Sequence, residues 1–333
     1  MDKTSDLTIL ITGGAGFICS HIIEHFIKNT SWTIVCVDKL SKSSKGWSRL
    51  QDSGLYSHPR IKPIVWDLEI PFNQEIIEKI GDPQVIIHMA AETHVDNSIK
   101  YPVDTIRNNV MSTVHLLEYA RTLKNLIIFQ YFSTDEIYGP APHGINYKEW
   151  DTHNPTNPYS ASKAASEDIC LSYQNTYKIP VIITNLMNVF GERQYVEKFI
   201  PLVIKKVLNN EVIDIHCEPD GKTPGSRFYI HGRNVAEAIL FILEHHTPGE
   251  KYNITGEREV DNLEMAQKIA AIVGQPLNYR LTNFHQDRPG HDTRYSLDGS
   301  KLSKMGFKLP VTFDQSLEKC VKWTLQNKKW LEE

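Results

Sequence analysis

Residues 8–23 read Thr-Ile-Leu-Ile-Thr-Gly-Gly-Ala-Gly-Phe-Ile-Cys-Ser-His-Ile-Ile, and this stretch predicts a strand, a glycine turn and a helix in succession. The β-branched run at 8–12 is typical of a short buried strand, and the apolar spacing after Gly16 is helical. Glycines at such a turn let backbone amides approach a pyrophosphate, which then lies at the positive end of the helix. The stretch therefore predicts a βα unit that binds a dinucleotide.

The second predicted strand, at 33–37, is followed by Asp38. An acid at this position can accept hydrogen bonds from an adenosine ribose. It also repels a 2′-phosphate, and since we expect no arginine beside it, the sequence favours NAD over NADP. Cys19 stands where the glycine fingerprint usually has a third glycine that packs the helix against the strand. Because cysteine is small, we expect a shift of the helix without loss of cofactor binding.

The rest of the chain alternates between apolar runs and helical spacing. Further strands are predicted at 61–65, 85–88, 126–129, 181–183 and 251–254, and helices at about 73–80, 103–123, 160–177, 234–245 and 262–273. Such alternation predicts an α/β fold with a Rossmann-type, doubly wound parallel sheet. The pattern becomes irregular after about residue 188, which indicates a smaller C-terminal α/β lobe for the substrate. We expect a Rossmann domain of residues 1–188 plus about 229–256, and a substrate-binding lobe of 189–228 plus about 257–333.

Composition and charge exclude several classes of function. The chain has 333 residues, of which 41% are hydrophobic and 23% charged, as in ordinary globular proteins. A net charge of −4 without a basic block argues against a nucleic-acid partner. The polar N-terminus and the absence of an apolar run of roughly 18 residues argue against a signal peptide and a membrane span, so we expect a cytoplasmic protein. Without C-x-x-C spacing, we expect neither disulfides nor a metal site at Cys19, Cys36, Cys170, Cys217 and Cys320.

Tyr159 and Lys163 lie four residues apart at the start of a predicted helix, so their side chains leave the same face. A free tyrosine titrates near pH 10, and an ammonium held nearby lowers the pKa of the phenol towards the range that a base needs. Tyr-x-x-x-Lys is also common on solvated helix surfaces, so the pair needs support from its context. That support is the segment Ser133-Thr134-Asp135-Glu136-Ile137-Tyr138-Gly139, which we expect just after a strand.

The glycine turn with Asp38, the 133–139 segment and the Tyr159–Lys163 pair together resemble the extended short-chain dehydrogenase/reductase superfamily. The Thr-Asp-Glu triplet within that segment resembles its nucleoside-diphosphate-glucose 4,6-dehydratase branch. The resemblance covers nearly the whole chain and includes the stretches 88–96, 197–201 and 287–295. It implies NAD as the cofactor, a nucleotide sugar as the substrate and a homodimer as the assembly.

Two adjacent carboxylates have a use in an elimination that they lack in a simple hydride transfer. After C4 of a hexose is oxidised to a ketone the C5 proton becomes acidic, so one carboxylate can remove it while a protonated one donates to the departing 6-hydroxyl. The resemblance implies that Glu136 is the base at C5 and Asp135 the acid at O6. It also implies that Thr134 binds the 4-hydroxyl and that Tyr159, paired with Lys163, takes its proton as a hydride passes to NAD. The hydride then returns to C6, so NAD is not consumed.

The resemblance also implies which residues contact each ligand. The cofactor residues are Gly13, Gly16, Phe17, Ile18, Asp38, Asp67, Leu68, Ala90, Ala91, Tyr159 and Lys163. The substrate residues, which include cations suited to a diphosphate, are Asn188, Lys198, Arg227, Asn262, Arg288 and His291. The chain departs from the family pattern at 39–46, where a tyrosine-containing segment is usual, and at 228–234, where acids are common.

The resulting expectation is an NAD-dependent 4,6-dehydratase that acts on dTDP-glucose or UDP-glucose, early in the synthesis of deoxysugars such as rhamnose. The sequence leaves the nucleotide open, because one hydroxyl and one methyl group separate the two substrates. A nucleotide-sugar 4-epimerase or decarboxylase on the same scaffold and a non-catalytic NAD-binding sensor remain as alternatives. A homodimer through the helices at 103–123 and 160–177 is expected because apolar residues extend beyond one stripe, at Val110, Val114, Leu117, Ile169 and Leu171.

Overall fold

The computed structural model describes residues 2–41, 44–283 and 294–332. Its strands are β1 (Thr8–Thr12), β2 (Thr33–Asp38), β3 (Ile61–Val65), β4 (Val85–His88), β5 (Ile128–Thr134), β6 (Val181–Leu186), β7 (Asn188–Phe190), β8 (Ile213–Cys217), β9 (Ser226–His231), β10 (Lys251–Ile254), β11 (Glu259–Asp261) and β12 (Tyr279–Asn283). Its helices are α1 (Phe17–Asn29), α2 (Ser48–Asp52), α3 (Gln74–Ile80), α4 (Val95–Lys100), α5 (Pro102–Ala120), α6 (Pro158–Tyr177), α7 (Phe199–Leu208), α8 (Gly232–His245), α9 (Asn262–Val273), α10 (Ser300–Lys304) and α11 (Phe313–Gln326).

Seven parallel strands form the main sheet, in the order β10-β6-β5-β4-β1-β2-β3. Because the chain winds outward from β1 in both directions, helices cover both faces of the sheet. Helices α1 and α8 pack on one face, and α5 and α6 pack on the other. The predicted doubly wound Rossmann arrangement is confirmed. The reversal of strand order beside β1 opens a crevice at the carboxyl ends of the strands, where open α/β sheets bind their ligands.

The neighbouring strands β5 and β6 are longer than predicted. The expected run 126–129 is wrong at its start, because β5 begins at Ile128 and continues to Thr134 with every residue buried. Strand β6 likewise extends to Leu186, beyond its predicted end. Strands that are covered on both faces carry no polar alternation to mark their length. Ser133 and Thr134 therefore lie within β5, although the sequence pattern suggests that the strand ends before them.

The C-terminal half contains more regular structure than the sequence pattern predicts. A three-stranded sheet, β11-β9-β7, and a two-stranded sheet, β12-β8, pack with α7, α9 and α11. Their shared core includes the buried side chains of Val203, Ile215, Met265, Ile269 and Val321. The prediction omits α7, α11 and the short strands, of which β8 alternates buried and half-buried residues over only five positions. So short a pattern does not separate a strand from a loop.

Two further expectations concern single side chains. All five cysteines are buried and free in the structure, so their side chains pack in the interior, and the expected absence of disulfides and of a metal site stays a prediction. Leu117 was expected to extend an uncovered apolar surface, and this is wrong, because it is fully buried between α5 and the main sheet. No helix in the described part of the chain combines the length and the apolar character that a bilayer crossing requires.

Candidate active site

Gly13 and Gly16 shape the turn between β1 and α1. Gly13 has a φ of 71°, and its amide donates to the Val37 carbonyl at 2.8 Å. A Cβ there would lie 3.0 Å from the Ala90 amide nitrogen, and a Cβ on Gly16 would lie 2.8 Å from the Gly13 carbonyl oxygen. Within the described residues no side chain caps α1 at Gly16, so the positive end of this helix is left to an anion. The turn therefore fits the pyrophosphate of a dinucleotide.

Asp38 lies at the carboxyl end of β2, beside this turn. Its carboxylate accepts hydrogen bonds from the backbone amides of Ala15 at 3.1 Å and Leu40 at 2.7 Å. Burial raises the pKa of Asp38, whereas these two hydrogen bonds and the charge of Arg49 lower it. The expectation that no arginine stands beside Asp38 is therefore wrong. Arg49 lies further along the chain, in the short helix α2.

The remaining predicted cofactor residues of the first half also lie near the carboxyl ends of strands. These are Phe17 and Ile18 in the first turn of α1, Asp67 and Leu68 after β3, and Ala90 and Ala91 after β4. The Thr12 hydroxyl, which the sequence reading missed, accepts hydrogen bonds from the Met89 and Ala90 amides, both at 3.2 Å. Residues from β1, β2, β3 and β4 thus border one crevice, and their individual contacts with NAD stay predictions.

Cys19 packs α1 against β1 and β4 in the place of the usual glycine. Its thiol lies 3.7 Å from the Thr12 carbonyl oxygen and 3.4 Å from the Met89 sulfur, and the residue is buried. The sulfur therefore fills the contact between helix and strands, and the glycine turn keeps its geometry beside it.

The segment after β5 places two carboxyl groups beside a hydroxyl. Thr134 ends the strand and caps a 3-10 turn formed by Asp135–Tyr138, since its hydroxyl accepts from the Glu136 amide at 3.4 Å. The same hydroxyl donates to Asp135 Oδ1 at 3.0 Å. Asp135 is buried and Glu136 is half-buried. The Thr-Asp-Glu triplet is thus a compact group at the carboxyl end of a central strand.

Both carboxyl groups hold their protons to unusually high pH. Burial raises the pKa of Asp135 to about 6, although Arg227 and the hydrogen bond from Thr134 oppose this. Burial and the charge of Asp135 raise the pKa of Glu136 to about 7. Since each carboxylate disfavours the other, the pair can retain one proton near neutral pH. That is the protonation state in which a general acid and a general base can act together.

Tyr159 and Lys163 lie one turn apart on α6, and both are buried. Burial and the charge of Glu136 raise the pKa of Tyr159, while a hydrogen bond with Thr134 lowers it. The Lys163 ammonium donates to the Phe132 carbonyl, and burial lowers the pKa of Lys163 to about 7. The prediction that Lys163 lowers the pKa of Tyr159 is therefore wrong for the ligand-free protein. The hydroxyl of Thr134, rather than the ammonium, is the group that opposes the effect of burial.

Asn157, which the sequence reading missed, joins α6 to the carboxyl pair. Its side-chain oxygen accepts from the Ser160 amide at 2.9 Å, and its backbone amide donates to the Ser160 hydroxyl at 3.2 Å, which forms a capping box. Its side-chain amide donates to Glu136 Oε2 at 3.4 Å and lowers the pKa of Glu136. An asparagine directly before a proline at a helix start is a capping signal that the sequence does contain.

Two cations act on the carboxyl pair from the C-terminal lobe. The charge of Arg227 in β9 lowers the pKa of both Asp135 and Glu136. The charge of Lys198, at the start of α7, lowers the pKa of Glu136. The structure therefore brings two predicted substrate residues close to the predicted catalytic pair. Their part in binding a diphosphate stays a prediction.

The two predicted asparagines adjoin Tyr229, which follows Arg227 by two positions on β9. Asn188 begins β7 and pairs with Tyr229 across the sheet, and Asn262 begins α9 and accepts from the Tyr229 hydroxyl at 2.8 Å. Tyr229 was not predicted, and a single tyrosine in a short strand gives no local signal of this contact. Arg288 and His291 fall outside the described residues.

Comparison with known proteins gives consistent matches. The family model for GDP-mannose 4,6 dehydratase matches residues 10–320. The dTDP-glucose 4,6-dehydratase of Salmonella typhimurium is 36% identical, and the match covers 98% of this chain and 94% of the relative. The enzyme of the same name from Neisseria gonorrhoeae is 34% identical over 98% of both chains.

Solved structures match with equal coverage. The dTDP-glucose 4,6-dehydratase of Streptomyces venezuelae, with NAD bound, has a TM-score of 0.87 at 29% identity and covers 98% of this chain and 99% of its own. The UDP-glucuronic acid 4-epimerase of Bacillus cereus, in complex with UDP-glucuronic acid and NAD, has a TM-score of 0.86 at 26% identity, with coverage of 96% and 100%. The fold is therefore shared by dehydratases and epimerases, and does not separate them.

The sequence matches are more specific than the shared fold, because they are to 4,6-dehydratases. They confirm the resemblance that the glycine turn, the Thr-Asp-Glu triplet and the Tyr159–Lys163 pair indicate. Because the family model matches nearly the whole chain, and relatives at 34% and 36% identity do so too, the chain belongs to the 4,6-dehydratase family that this model describes.

Proposed function

We propose that the protein is an NAD-dependent 4,6-dehydratase that converts dTDP-glucose or UDP-glucose to the 4-keto-6-deoxy sugar, on a route to deoxysugars such as rhamnose. The observation that carries the proposal is the carboxyl pair Asp135 and Glu136 beside Tyr159, with pKa values of about 6 and 7. The glycine turn and Asp38 support NAD as the cofactor, and the matched structures contain NAD. The names of the curated relatives favour dTDP-glucose over UDP-glucose.

Tyr159 and Thr134 would act on the 4-hydroxyl of the sugar. When bound, NAD supplies the acceptor for the hydride that leaves C4 and the donor for the hydride that returns to C6. Tyr159 takes the proton of the 4-hydroxyl, and Thr134, which hydrogen-bonds the phenol, orients the same hydroxyl. The burial of both side chains excludes water from this step.

Glu136 and Asp135 would divide the elimination between them. Glu136 removes the C5 proton, the C5–C6 double bond forms as the C6–O bond breaks, and Asp135 donates its proton to the departing hydroxyl, so that water leaves. This division needs the shared proton on Asp135 when the reaction begins. In the ligand-free protein the pKa of Glu136, about 7, exceeds that of Asp135, about 6, so the shared proton lies on Glu136 and has to move to Asp135 when the substrate binds. Lys198 and Asn157 act in that direction, because both lower the pKa of Glu136.

A nucleotide-sugar 4-epimerase is the second candidate, because the Bacillus cereus epimerase has a nearly equal TM-score. Epimerisation needs no acid at O6, so the two adjacent carboxyl groups favour the dehydratase. Mass spectrometry of the product after incubation with dTDP-glucose and, separately, UDP-glucose separates the two. We expect the loss of one water. An unchanged mass with inverted C4 would overturn the proposal in favour of an epimerase, and bound NAD without any product would indicate a sensor.

We also propose that the protein is a cytoplasmic homodimer that associates through α5 and α6. The N-terminal half of α5 exposes Val103 and Ile106, which are 72% and 43% accessible, and the exposed Met111 lies about one and a half turns further along. Apolar side chains grouped on one helix are typical of a surface that another chain covers. Two copies of α5 and α6 would form a four-helix bundle around a two-fold axis.

The division into two units is likewise proposed, with residues 1–188 plus about 229–256 binding NAD and 189–228 plus about 257–333 binding the nucleotide sugar. Two apolar cores on the faces of the main sheet lie mainly in the first unit, although Leu302 of α10 also packs into one of them. A separate core between α7, α9 and α11 belongs to the second. Separate cores support two folding units that meet at the carboxyl ends of the strands.

A further inference from the structure

Arg49 is a buried cation beside the predicted ribose site. It lies in the short helix α2 and is only 1% exposed. Arginine is rarely so deeply buried, because removing a guanidinium from water is costly unless its N–H groups find acceptors. The burial of Arg49 therefore requires compensating contacts, which packing alone does not provide.

The backbone carbonyls of three described residues accept hydrogen bonds from this guanidinium. Its Nη1 donates to the Ala15 oxygen at 3.2 Å and to the Ser44 oxygen at 2.7 Å. Its Nε donates to the Arg193 oxygen at 3.0 Å. The Trp330 ring lies 5.8 Å from the guanidinium carbon. Arg49 thus joins the glycine turn, the loop after Asp38 and the segment that follows β7.

The same guanidinium acts on the carboxylate of Asp38. The charge of Arg49 lowers the pKa of Asp38, and the charge of Asp38 raises that of Arg49, which burial lowers to about 10. Among the described residues, Lys39, Cys19 and Cys36 are also ionisable groups that act on Asp38 or respond to it. Burial keeps both thiols neutral at neutral pH, and Lys39 also donates to Asn108 at 2.6 Å. Arg49 is therefore the buried cation that favours ionised Asp38.

We propose that Arg49 is a positioning residue of the cofactor site, which fixes the glycine turn against Ser44 and the segment after β7 and holds a buried positive charge next to the Asp38 carboxylate. This inference rests on the proposed NAD-dependent function. A carboxylate at this place accepts the ribose hydroxyls and repels a 2′-phosphate. Because Arg49 is buried and turned towards backbone carbonyls, it does not itself offer a cation to a 2′-phosphate. An arginine beside Asp38 is then compatible with a preference for NAD.

The test measures the binding of NAD and NADP by calorimetry, as a function of pH, to the wild type, Arg49→Gln, Arg49→Lys, Asp38→Asn and the double variant Arg49→Gln/Asp38→Asn. Loss of the cation raises the pKa of Asp38, so NAD binding to Arg49→Gln should fall at a higher pH than in the wild type as the solution is acidified. We expect about tenfold weaker binding of NAD at pH 7 and a smaller preference over NADP. Arg49→Lys keeps the charge, so its pH profile should stay near that of the wild type.

The double variant separates positioning of Asp38 from a purely structural role. In the Asp38→Asn background, Arg49→Gln should change neither the ratio of NAD to NADP affinity nor the pH profile. The inference would be overturned if Arg49→Gln still altered the affinity ratio or the pH profile in the Asp38→Asn background. It would also be overturned if Arg49→Gln alone kept the affinity ratio and pH profile of the wild type. Either result would leave the proposed function intact. Failure of the wild type to bind NAD would overturn both. If circular dichroism shows that Arg49→Gln does not fold, Arg49→Lys takes its place in the double-mutant comparison with Asp38→Asn. An altered pH profile of NAD binding to Arg49→Lys would then count against the inference, because this variant keeps the positive charge.

Discussion

The side-chain amide of Asn157 donates to Glu136 at 3.4 Å, while the side-chain oxygen of the same residue accepts from the Ser160 amide at 2.9 Å. One residue therefore supports two parts of the site that are separate in sequence. The N-terminus of α6 carries Tyr159, the proposed base for oxidation, and the segment after β5 carries Glu136, the proposed base for elimination. Their relative position depends on Asn157, so substitutions there should separate stability from chemistry.

Asn157→Ala should lower the free energy of unfolding by about 1 kcal/mol, because it removes the helix cap. Asn157→Ser keeps a capping oxygen but loses the amide donor to Glu136, so its stability should stay near that of the wild type. Both variants should exchange the C5 proton of the substrate more slowly. Urea unfolding and deuterium incorporation at C5 measure the two effects. A normal exchange rate in Asn157→Ser would show that the contact with Glu136 has no part in catalysis.

The raised pKa of Glu136 makes a prediction about stability. Its pKa in the folded protein, about 7, exceeds the ordinary value, so between about pH 4.5 and 7 the folded chain binds more protons than the unfolded chain. The contribution of Glu136 to the free energy of unfolding therefore falls as pH rises through this window. Above the window Glu136 is ionised in both states, and the full cost of burying its charge is present. Glu136→Gln should stabilise the ligand-free protein at pH 8, by on the order of 2 kcal/mol, and have little effect at pH 4.

Urea unfolding at the two pH values measures this difference. Glu78 of α3 is exposed to solvent and provides the matched control, since Glu78→Gln should give no comparable gain at pH 8. Equal stabilities of Glu136→Gln and the wild type at both pH values would mean that Glu136 titrates as an ordinary acid.

The cofactor half of the fold was predictable because its signals are local. Strand β1 and the start of α1 lie where the apolar runs and glycines place them, and β3 forms although Pro63 weakens its pattern. Pro63 lacks an amide donor, and β3 tolerates it because this strand lies at the sheet edge with a single neighbour. Local chemistry also identifies Asp38, which follows directly from the end of β2.

The parts that sequence could not predict depend on contacts between distant segments. The charge of Arg49 acts on Asp38 from the short helix α2, and the charge of Arg227 acts on Asp135 from strand β9, far along the chain. Neither interaction leaves a periodic pattern or a fixed spacing in the chain. The raised pKa values of the carboxyl pair arise from burial, which the motif alone does not specify. The sequence therefore pointed to the candidate reacting residues, whose roles stay predictions, but not to the surroundings that set their protonation.

The proposed dimer predicts an effect of charge on the exposed face of α5. Val103→Glu should produce a monomer of half the dimer mass, because the carboxylate would be buried at the interface without a partner. Val65 is also exposed, at 57%, and belongs to the edge strand β3 rather than to the proposed α5–α6 surface, so Val65→Glu should stay dimeric. Sedimentation equilibrium at micromolar concentration distinguishes the two states. A wild-type protein that sediments as a monomer of about 38 kDa would exclude this assembly.

Replacing Tyr159 and Glu136 should arrest the reaction at different steps. Tyr159→Phe removes the group that takes the 4-hydroxyl proton, so no NADH absorbance should appear even in a single turnover. Glu136→Gln leaves oxidation of C4 largely intact but removes the base at C5. That variant should accumulate enzyme-bound NADH with a 4-keto-glucose nucleotide, and solvent deuterium should not enter C5.

The contrast between these variants matters more than the size of either loss. A loss of 10²- to 10⁴-fold in turnover accords with the removal of one acid or base. Misplacement of the sugar would slow both steps alike, whereas loss of the C5 base slows only the second, so the ratio of NADH formation to product release identifies the cause.

Asp135→Asn provides the matched control. It should still exchange the C5 proton, because Glu136 is intact, yet release little water from C6. Normal turnover or normal C5 exchange in Glu136→Gln would instead show that the carboxyl pair does not perform the elimination, and the epimerase would become the better assignment.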